Sequence, residues 1–194
     1  QGDVGSGKTI IAVLASAIAV SNGMQVAVMT PTEILAKQHY KSFKKLANHA
    51  KMSCALLIGG MPARERNKIR RGLEKNKINI IVGTHALFQK DINFSSLGLV
   101  VIDEQHRFGV NQRNALLQKG FNPHLLSMTA TPIPRTLAIT YHGDMDLSII
   151  DELPKNRIPI TTKKVEVNRL EKIYSFMLEE VKAGRQCIIV YPLI

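Results

Sequence analysis

Gly2-Asp3-Val4-Gly5-Ser6-Gly7-Lys8-Thr9 opens the chain with the spacing G-x-x-x-x-G-K-[ST], and the reading of this stretch decides the fold. A triphosphate needs several donors converging on a small anionic volume. Backbone N–H groups supply them where the chain curls tightly, and Gly2, Gly5 and Gly7 permit that curl. Lys8 is placed to reach the β- and γ-phosphates as a point charge, and the Thr9 hydroxyl to ligate Mg²⁺. Residues 10–20, IIAVLASAIAV, read as a buried helix that points the positive end of its dipole at the phosphates. Such a loop should follow a buried strand. None precedes it in the sequence, so the chain is expected to be a piece cut just before or inside its first strand.

Outward from the loop, apolar runs alternate with helical patterns. Residues 25–30 form a strand pattern ended by Pro31, with Thr32 as a cap for the helix after it. Residues 53–58 read as a second strand closed by Gly59-Gly60. A helix starting near Pro62 carries Ile69 and Leu73 at i, i+4 spacing. Residues 78–82 are a third strand, ending at Gly83-Thr84-His85. Residues 97–102, LGLVVI, have the most buried composition and run into Asp103-Glu104. Residues 124–128 lead into Thr129-Ala130-Thr131-Pro132, and beyond residue 159 come a strand pattern over 160–167, a helix pattern over 169–182 and a strand pattern over 186–191. Alternation of this kind means an α/β fold with a mainly parallel sheet covered on both faces, with ligands at the carboxyl ends of the strands. The polar clusters all follow strands, so they are expected to converge on one edge.

Composition bounds the function. The formal net charge is +11, from 26 Lys+Arg against 15 Asp+Glu, which favours a polyanionic partner. The excess concentrates in Lys37, Lys41, Lys44, Lys45 and Lys51, and in a second group running from Arg64 to Lys77. A solvated helix surface accounts for such runs equally well. With hydrophobic content of 45% and aromatic content of 5% without Trp, aliphatic side chains must build the core. No apolar run approaches the roughly 20 residues of a membrane span. Cys54 and Cys187 sit in strand-like contexts and read as buried, reduced thiols, which fits a cytoplasmic compartment.

Asp103-Glu104 after a buried strand supplies the second half of a nucleotide-hydrolysing site. Asp103 would hold Mg²⁺, directly or through water, while Glu104 would orient and deprotonate the attacking water. Adjacent acids on an extended chain point to different sides, so the two tasks can be divided.

Asp103-Glu104-Gln105-His106, after the phosphate loop and before Thr129-Ala130-Thr131, resembles the motif set of superfamily 2 helicases. Residues 103–110, DEQHRFGV, and 128–137, MTATPIPRTL, are similar to the RecG family of bacterial branched-DNA helicases, as are Gly143-Asp144-Met145-Asp146 and Asp151-Glu152-Leu153-Pro154. The resemblance runs through essentially the whole chain. It implies a RecA-like motor domain over residues 1–150, its first strand missing. A linker over 151–159 and the beginning of a second RecA-like domain over 160–194 would follow.

By the same resemblance, Gly2 to Thr9 bind ATP with Mg²⁺, and Lys8, Asp103 and Glu104 are catalytic. Thr30, Pro31, Thr32, Thr84 and His85 contact the DNA backbone. Gln105, His106, Thr129 and Thr131 couple the ATP site to DNA movement. Packing is the default for Phe108, and no role is derived for Arg107. The implied partner is branched or duplex DNA, and the intact protein would act as a bacterial, cytoplasmic monomer in repair and recombination. An adenine-reading segment and a DNA wedge domain are expected upstream, and arginine fingers downstream. Two alternatives stand beside this reading. A transcription-repair coupling translocase shares the Arg-Phe-Gly run but usually has Glu where this chain has Gln105. A P-loop nucleotide switch would not move on DNA.

Overall fold

Five runs of aliphatic residues form the spine of the computed structural model, which describes residues 1–50, 52–131, 145–152 and 160–190. They are β1 (Gln25–Met29), β2 (Cys54–Leu57), β3 (Ile80–Gly83), β4 (Leu97–Asp103) and β5 (His124–Met128). Helices α1 (Lys8–Ser21), α2 (Glu33–His49), α3 (Ala63–Glu74) and α4 (Val110–Leu117) alternate with them, and α5 (Leu170–Lys182) follows. Short 3₁₀ turns lie at His85–Phe88, Gln105–Arg107 and Val167–Arg169.

The sheet order is β2-β3-β1-β4-β5 and every pair is parallel. β1 is buried at all five positions because it lies between two neighbours and two helical layers. Alternate residues feed two cores. Ala27, Met29, Ile81, Val100 and Ile102 join Leu73 of α3, Leu87 and Leu116 of α4 on one face. Val26, Val28, Val82 and Val101 join Ala12 and Val13 of α1 and Phe43 of α2 on the other. This is the expected α/β architecture, three layers deep.

The register aligns the carboxyl ends. Met29 is level with Gly83 and Ile102, and Asp103 with Met128. The loop's entry takes up an extended position beside β5. The Gly2 N–H donates to Thr129 O at 3.3 Å, and Gly2 bridges Ile150 in parallel while the Ile150 N–H donates to Gln1 O at 2.7 Å. At the opposite edge of the sheet the buried Gln25 amide is fully used. Its Nε2 donates to Leu73 O and Ile78 O, and its Oε1 accepts from Ser95 and Ser96 N–H.

Close packing fixes Gly83 on steric grounds. A Cβ at Gly83 would stand 2.3 Å from Leu57 O and 3.0 Å from Leu87 Cγ. The first neighbour is backbone of the paired strand and cannot swing away. Gly83→Ala is therefore expected to cost about 1–3 kcal/mol by overpacking. A thermal melt unchanged from wild type would show that β2 and β3 have room to part.

Three expectations need correction. Helix α1 is only half buried. Ala12, Val13 and Ser16 face the sheet, whereas Leu14 and Ile18 are 54% and 66% exposed. A helix apolar on all sides reads as buried, but the sheet covers one stripe of it. Residues 160–167 and 186–191, read as strands, carry no strand over their described part, 160–167 and 186–190. A strand pattern is a preference, and ladder hydrogen bonds require a neighbour to pair with. Cys187 is exposed; only Cys54 is sheltered, where burial pushes its thiol up to about 12 and keeps it protonated.

The chain divides into two compact units, Gln1–Lys155 and Asn156–Ile194. In the second, α5 has no buried residue. Residues 132–137, Gly143-Asp144 and most of the expected linker (153–159) lie outside the described residues, as do Lys51 and the His106 side chain. Among the described residues no helix is long and apolar enough to cross a membrane.

Candidate nucleotide site and its neighbouring strand ends

The loop closes as its glycines require. Gly5 and Gly7 take φ of 81° and 98°, a region that side-chain-bearing residues rarely enter. Gly2 is needed for a different reason: a Cβ there would stand 2.6 Å from Ser6 Oγ and 3.0 Å from Ile150 Cβ. Lys8, the first residue of α1, folds its ammonium back over the loop and donates to Gly2 O and Asp3 O, both at 2.7 Å. Ser6 Oγ is buried with no hydrogen-bond partner, an orphaned polar group inside the loop. An anion seated here would meet the ammonium, the first N–H groups of α1 and that hydroxyl.

Asp103 ends β4 with both carboxylate oxygens engaged. Oδ1 accepts the Glu104 N–H at 3.1 Å. Oδ2 lies 2.7 Å from Nε2 of His39, a buried residue of α2. Glu104 turns sharply, with φ 52° and ψ 55°. That left-handed conformation is strained for a side-chain-bearing residue, and such strain clusters at functional sites. It is held by the Glu104 N–H to Met128 O at 2.9 Å.

β5 delivers the next polar group. Thr129 Oγ1 lies 3.5 Å from Glu104 Oε2 and 2.8 Å from Thr131 Oγ1, and accepts the Thr131 N–H at 3.2 Å. Its carbonyl accepts the Gly2 N–H. Ser127, on the same strand, donates to Gln105 Oε1. Gly2, Glu104, Thr129 and Thr131 thus form one connected set, and Ser127 ties Gln105 to the same strand.

The residues expected at the DNA face divide. Thr32 and His85 are exposed. Thr30 and Thr84 are buried. The Thr30 hydroxyl donates to Thr32 O at 3.1 Å, and Thr84 Oγ1 is enclosed without a hydrogen-bond partner. The Thr30 and Thr84 hydroxyls thus face inward and shape the strand ends from within. Thr32 does cap α2, accepting the Leu35 N–H at 3.3 Å. The basic clusters also divide. Lys37, Lys41, Lys44 and Lys45 are exposed along α2. Arg66 is committed to Asp91 at 2.8 Å, a hydrogen bond that holds the Asp91 carboxyl below the usual carboxylate range. Phe108 packs against the core as its default reading required, and Arg107 is exposed.

Mg²⁺ fits this donor set. It is commonly held by one or two protein oxygens together with substrate phosphates, not in an all-protein cage. The half-buried Thr9 hydroxyl and the Asp103 carboxylate are such oxygens, and among the described residues no group of three or more His, Cys, Asp or Glu could hold a metal ion. Sequence reading missed His39. Its signal lies in the buried stripe Ala36, His39, Phe43 and Ala47 of α2, where a polar ring in a core position demands a partner.

The chain is similar to known proteins. The chain is 50% identical over its whole length to the ATP-dependent DNA helicases RecG of Aquifex aeolicus, Thermotoga maritima and Bacillus subtilis, of which it covers 25%, 25% and 28%. It thus spans about a quarter of the length of these curated relatives. A solved structure of RecG bound to a three-way DNA junction superposes with a TM-score of 0.84 at 45% identity, covering 100% of this chain and 26% of that one. A hypothetical ATP-dependent RNA helicase from Sulfolobus tokodaii, at 23% identity and TM-score 0.58 over 76% of this chain and 45% of its own, shares the fold. The DEAD/DEAH box helicase family matches residues 1–140, and the chain belongs to that family.

Proposed function

We propose that these residues are the ATP-hydrolysing part of a helicase motor that moves on branched DNA, a reading supported by relatives named ATP-dependent DNA helicase RecG and by a RecG structure bound to a three-way DNA junction. The observation that carries it is Thr129, whose hydroxyl lies beside Glu104 Oε2 while its carbonyl accepts the Gly2 N–H. A shift of the loop on binding or losing the γ-phosphate is felt at Glu104 and β5 together. Residues 1–150 act as the first RecA-like domain, 151–159 as the linker and 160–194 as the start of the second, in a protein that works as a monomer.

In this reading Gly2 to Thr9 cradle the phosphates of ATP, with Lys8 released from its two loop carbonyls to face them. Thr9 and Asp103 hold Mg²⁺, which neutralises charge on the β- and γ-phosphates. Glu104 orients a water and takes its proton. Gln105, His106, Thr129 and Thr131 pass the change to the adjacent strand ends, where Thr30, Pro31, Thr32, Thr84 and His85 meet the DNA backbone, Thr30 and Thr84 through their main-chain groups. Contacts of that kind position a duplex without reading its sequence.

Steady-state ATP hydrolysis by the intact protein, with and without a model fork, tests the proposal. Turnover is expected to rise with the fork, and duplex binding to weaken steeply with salt because phosphate contacts release counterions. ATPase indifferent to DNA would point to a nucleotide switch.

A further inference from the structure

His39 has no part in the motor scheme above, yet it makes the closest side-chain contact to Asp103. It belongs to α2, two turns beyond Thr32. It is 7% exposed, with its ring tilted against Phe43 at a centroid distance of 6.4 Å. Its Nε2 stands 2.7 Å from Asp103 Oδ2, whereas its Nδ1 is buried with no hydrogen-bond partner. An apolar residue would fill this place in the α2 stripe without leaving a buried nitrogen unpaired, so packing alone does not account for histidine here. The other Asp103 oxygen is already oriented by the Glu104 N–H, so His39 completes the fixing of the carboxylate.

We propose that His39 is a positioning residue for the Mg²⁺-binding carboxylate, holding Oδ2 of Asp103 so that the helix capped by Thr32 also sets the orientation of the metal site. This rests on the functional reading above, in which Asp103 serves Mg²⁺ and Thr32 faces DNA. The capping bonds at Thr32 and the His39 contact lie on one rigid helix. A displacement of its first turn by a DNA phosphate therefore reaches Oδ2 with no intervening loop. Groups that orient a metal ligand without touching the metal are typically worth about 10–100-fold in metal affinity or activity.

The contact comes from Nε2, and that makes it testable by shape. Glutamine carries its amide nitrogen near the place of Nε2, and asparagine near the place of Nδ1. Mn²⁺ binding to the intact protein, loaded with a non-hydrolysable ATP analogue, is followed by electron paramagnetic resonance for wild type, His39→Gln, His39→Asn and His39→Leu. His39→Asn and His39→Leu are expected to weaken Mn²⁺ by about tenfold, and His39→Gln to restore most of the loss. Equal affinities for the Gln and Asn variants, or wild-type affinity in the Leu variant, would overturn the proposal. Should His39→Leu fail to fold, the Gln and Asn pair still decides. Lys8→Ala in the same assay separates the two levels. If wild type binds no Mn²⁺-nucleotide, the functional reading fails. If wild type binds it and Lys8→Ala weakens it, that reading stands and His39 is judged alone.

Discussion

Replacing Lys8 by alanine is expected to lower ATP hydrolysis by the intact protein at least about 10²–10³-fold, the scale on which one preorganised charge at a reacting phosphate acts. Lys8 is the only cationic side chain in the loop. Its ammonium is folded back over the loop, held by Gly2 O and Asp3 O. A γ-phosphate exchanges these two carbonyls for its own oxygens, and alanine leaves nothing in place of the ammonium. The backbone turn survives, because it depends on Gly2, Gly5 and Gly7 and on the Ser6 N–H to Asp3 O bond at 3.1 Å. DNA affinity is expected to persist, since Thr32 and His85 follow β1 and β3, away from the loop. Steady-state ATPase with a fork, beside a direct DNA-binding titration, checks both halves. Near-normal turnover would reject the loop as the phosphate site.

The sheet was legible because each strand is an unbroken aliphatic run ending in a polar cluster. VAVM, IIVG and LVVID can only be central strands covered on both faces, and parallel pairing then sends all their carboxyl ends to one edge. Boundaries shifted by a residue or two, as at β3, which begins at Ile80 after Ile78 and Asn79. Helix α1 and residues 160–167 were misread for a common reason. Composition reports how much a segment prefers burial or extension, while the surface that covers or pairs it is supplied from elsewhere.

The site was legible as far as contiguous motifs reach. Gly2 to Thr9 and Asp103-Glu104 carry their chemistry in their spacing. The links between motifs were not legible. Nothing in the spacing of Thr129 says that its hydroxyl lies beside Glu104, or that its carbonyl takes the Gly2 N–H. These follow from β5 lying between β4 and the loop's entry. Nor does the spacing of Thr30 and Thr84 say that their hydroxyls face inward at the strand ends. His39 was hidden by a helix rich in Lys, and only its register with Ala36 and Phe43 gives it away.

The two acids at the end of β4 should separate cleanly. Asp103→Asn is expected to weaken Mg²⁺-dependent nucleotide binding, because it removes the charge that serves the metal while leaving the strand intact. Glu104→Gln is expected to retain the nucleotide and to slow its hydrolysis by about 10²–10⁴-fold, the range for losing a positioned general base. The geometry supports this division. Asp103 points back toward α2 and His39. Glu104, in its left-handed turn, points its carboxylate toward Thr129 on β5. Glutamine in that turn keeps the N–H bond to Met128 O and an oxygen for Thr129, and loses only the capacity to accept a proton. The loss should therefore fall on the chemical step. Titration of a fluorescent ATP analogue with and without Mg²⁺, followed by single-turnover hydrolysis, distinguishes the variants. Matching nucleotide affinities in Asp103→Asn and Glu104→Gln would mean that the two carboxylates share the metal and that the base lies elsewhere.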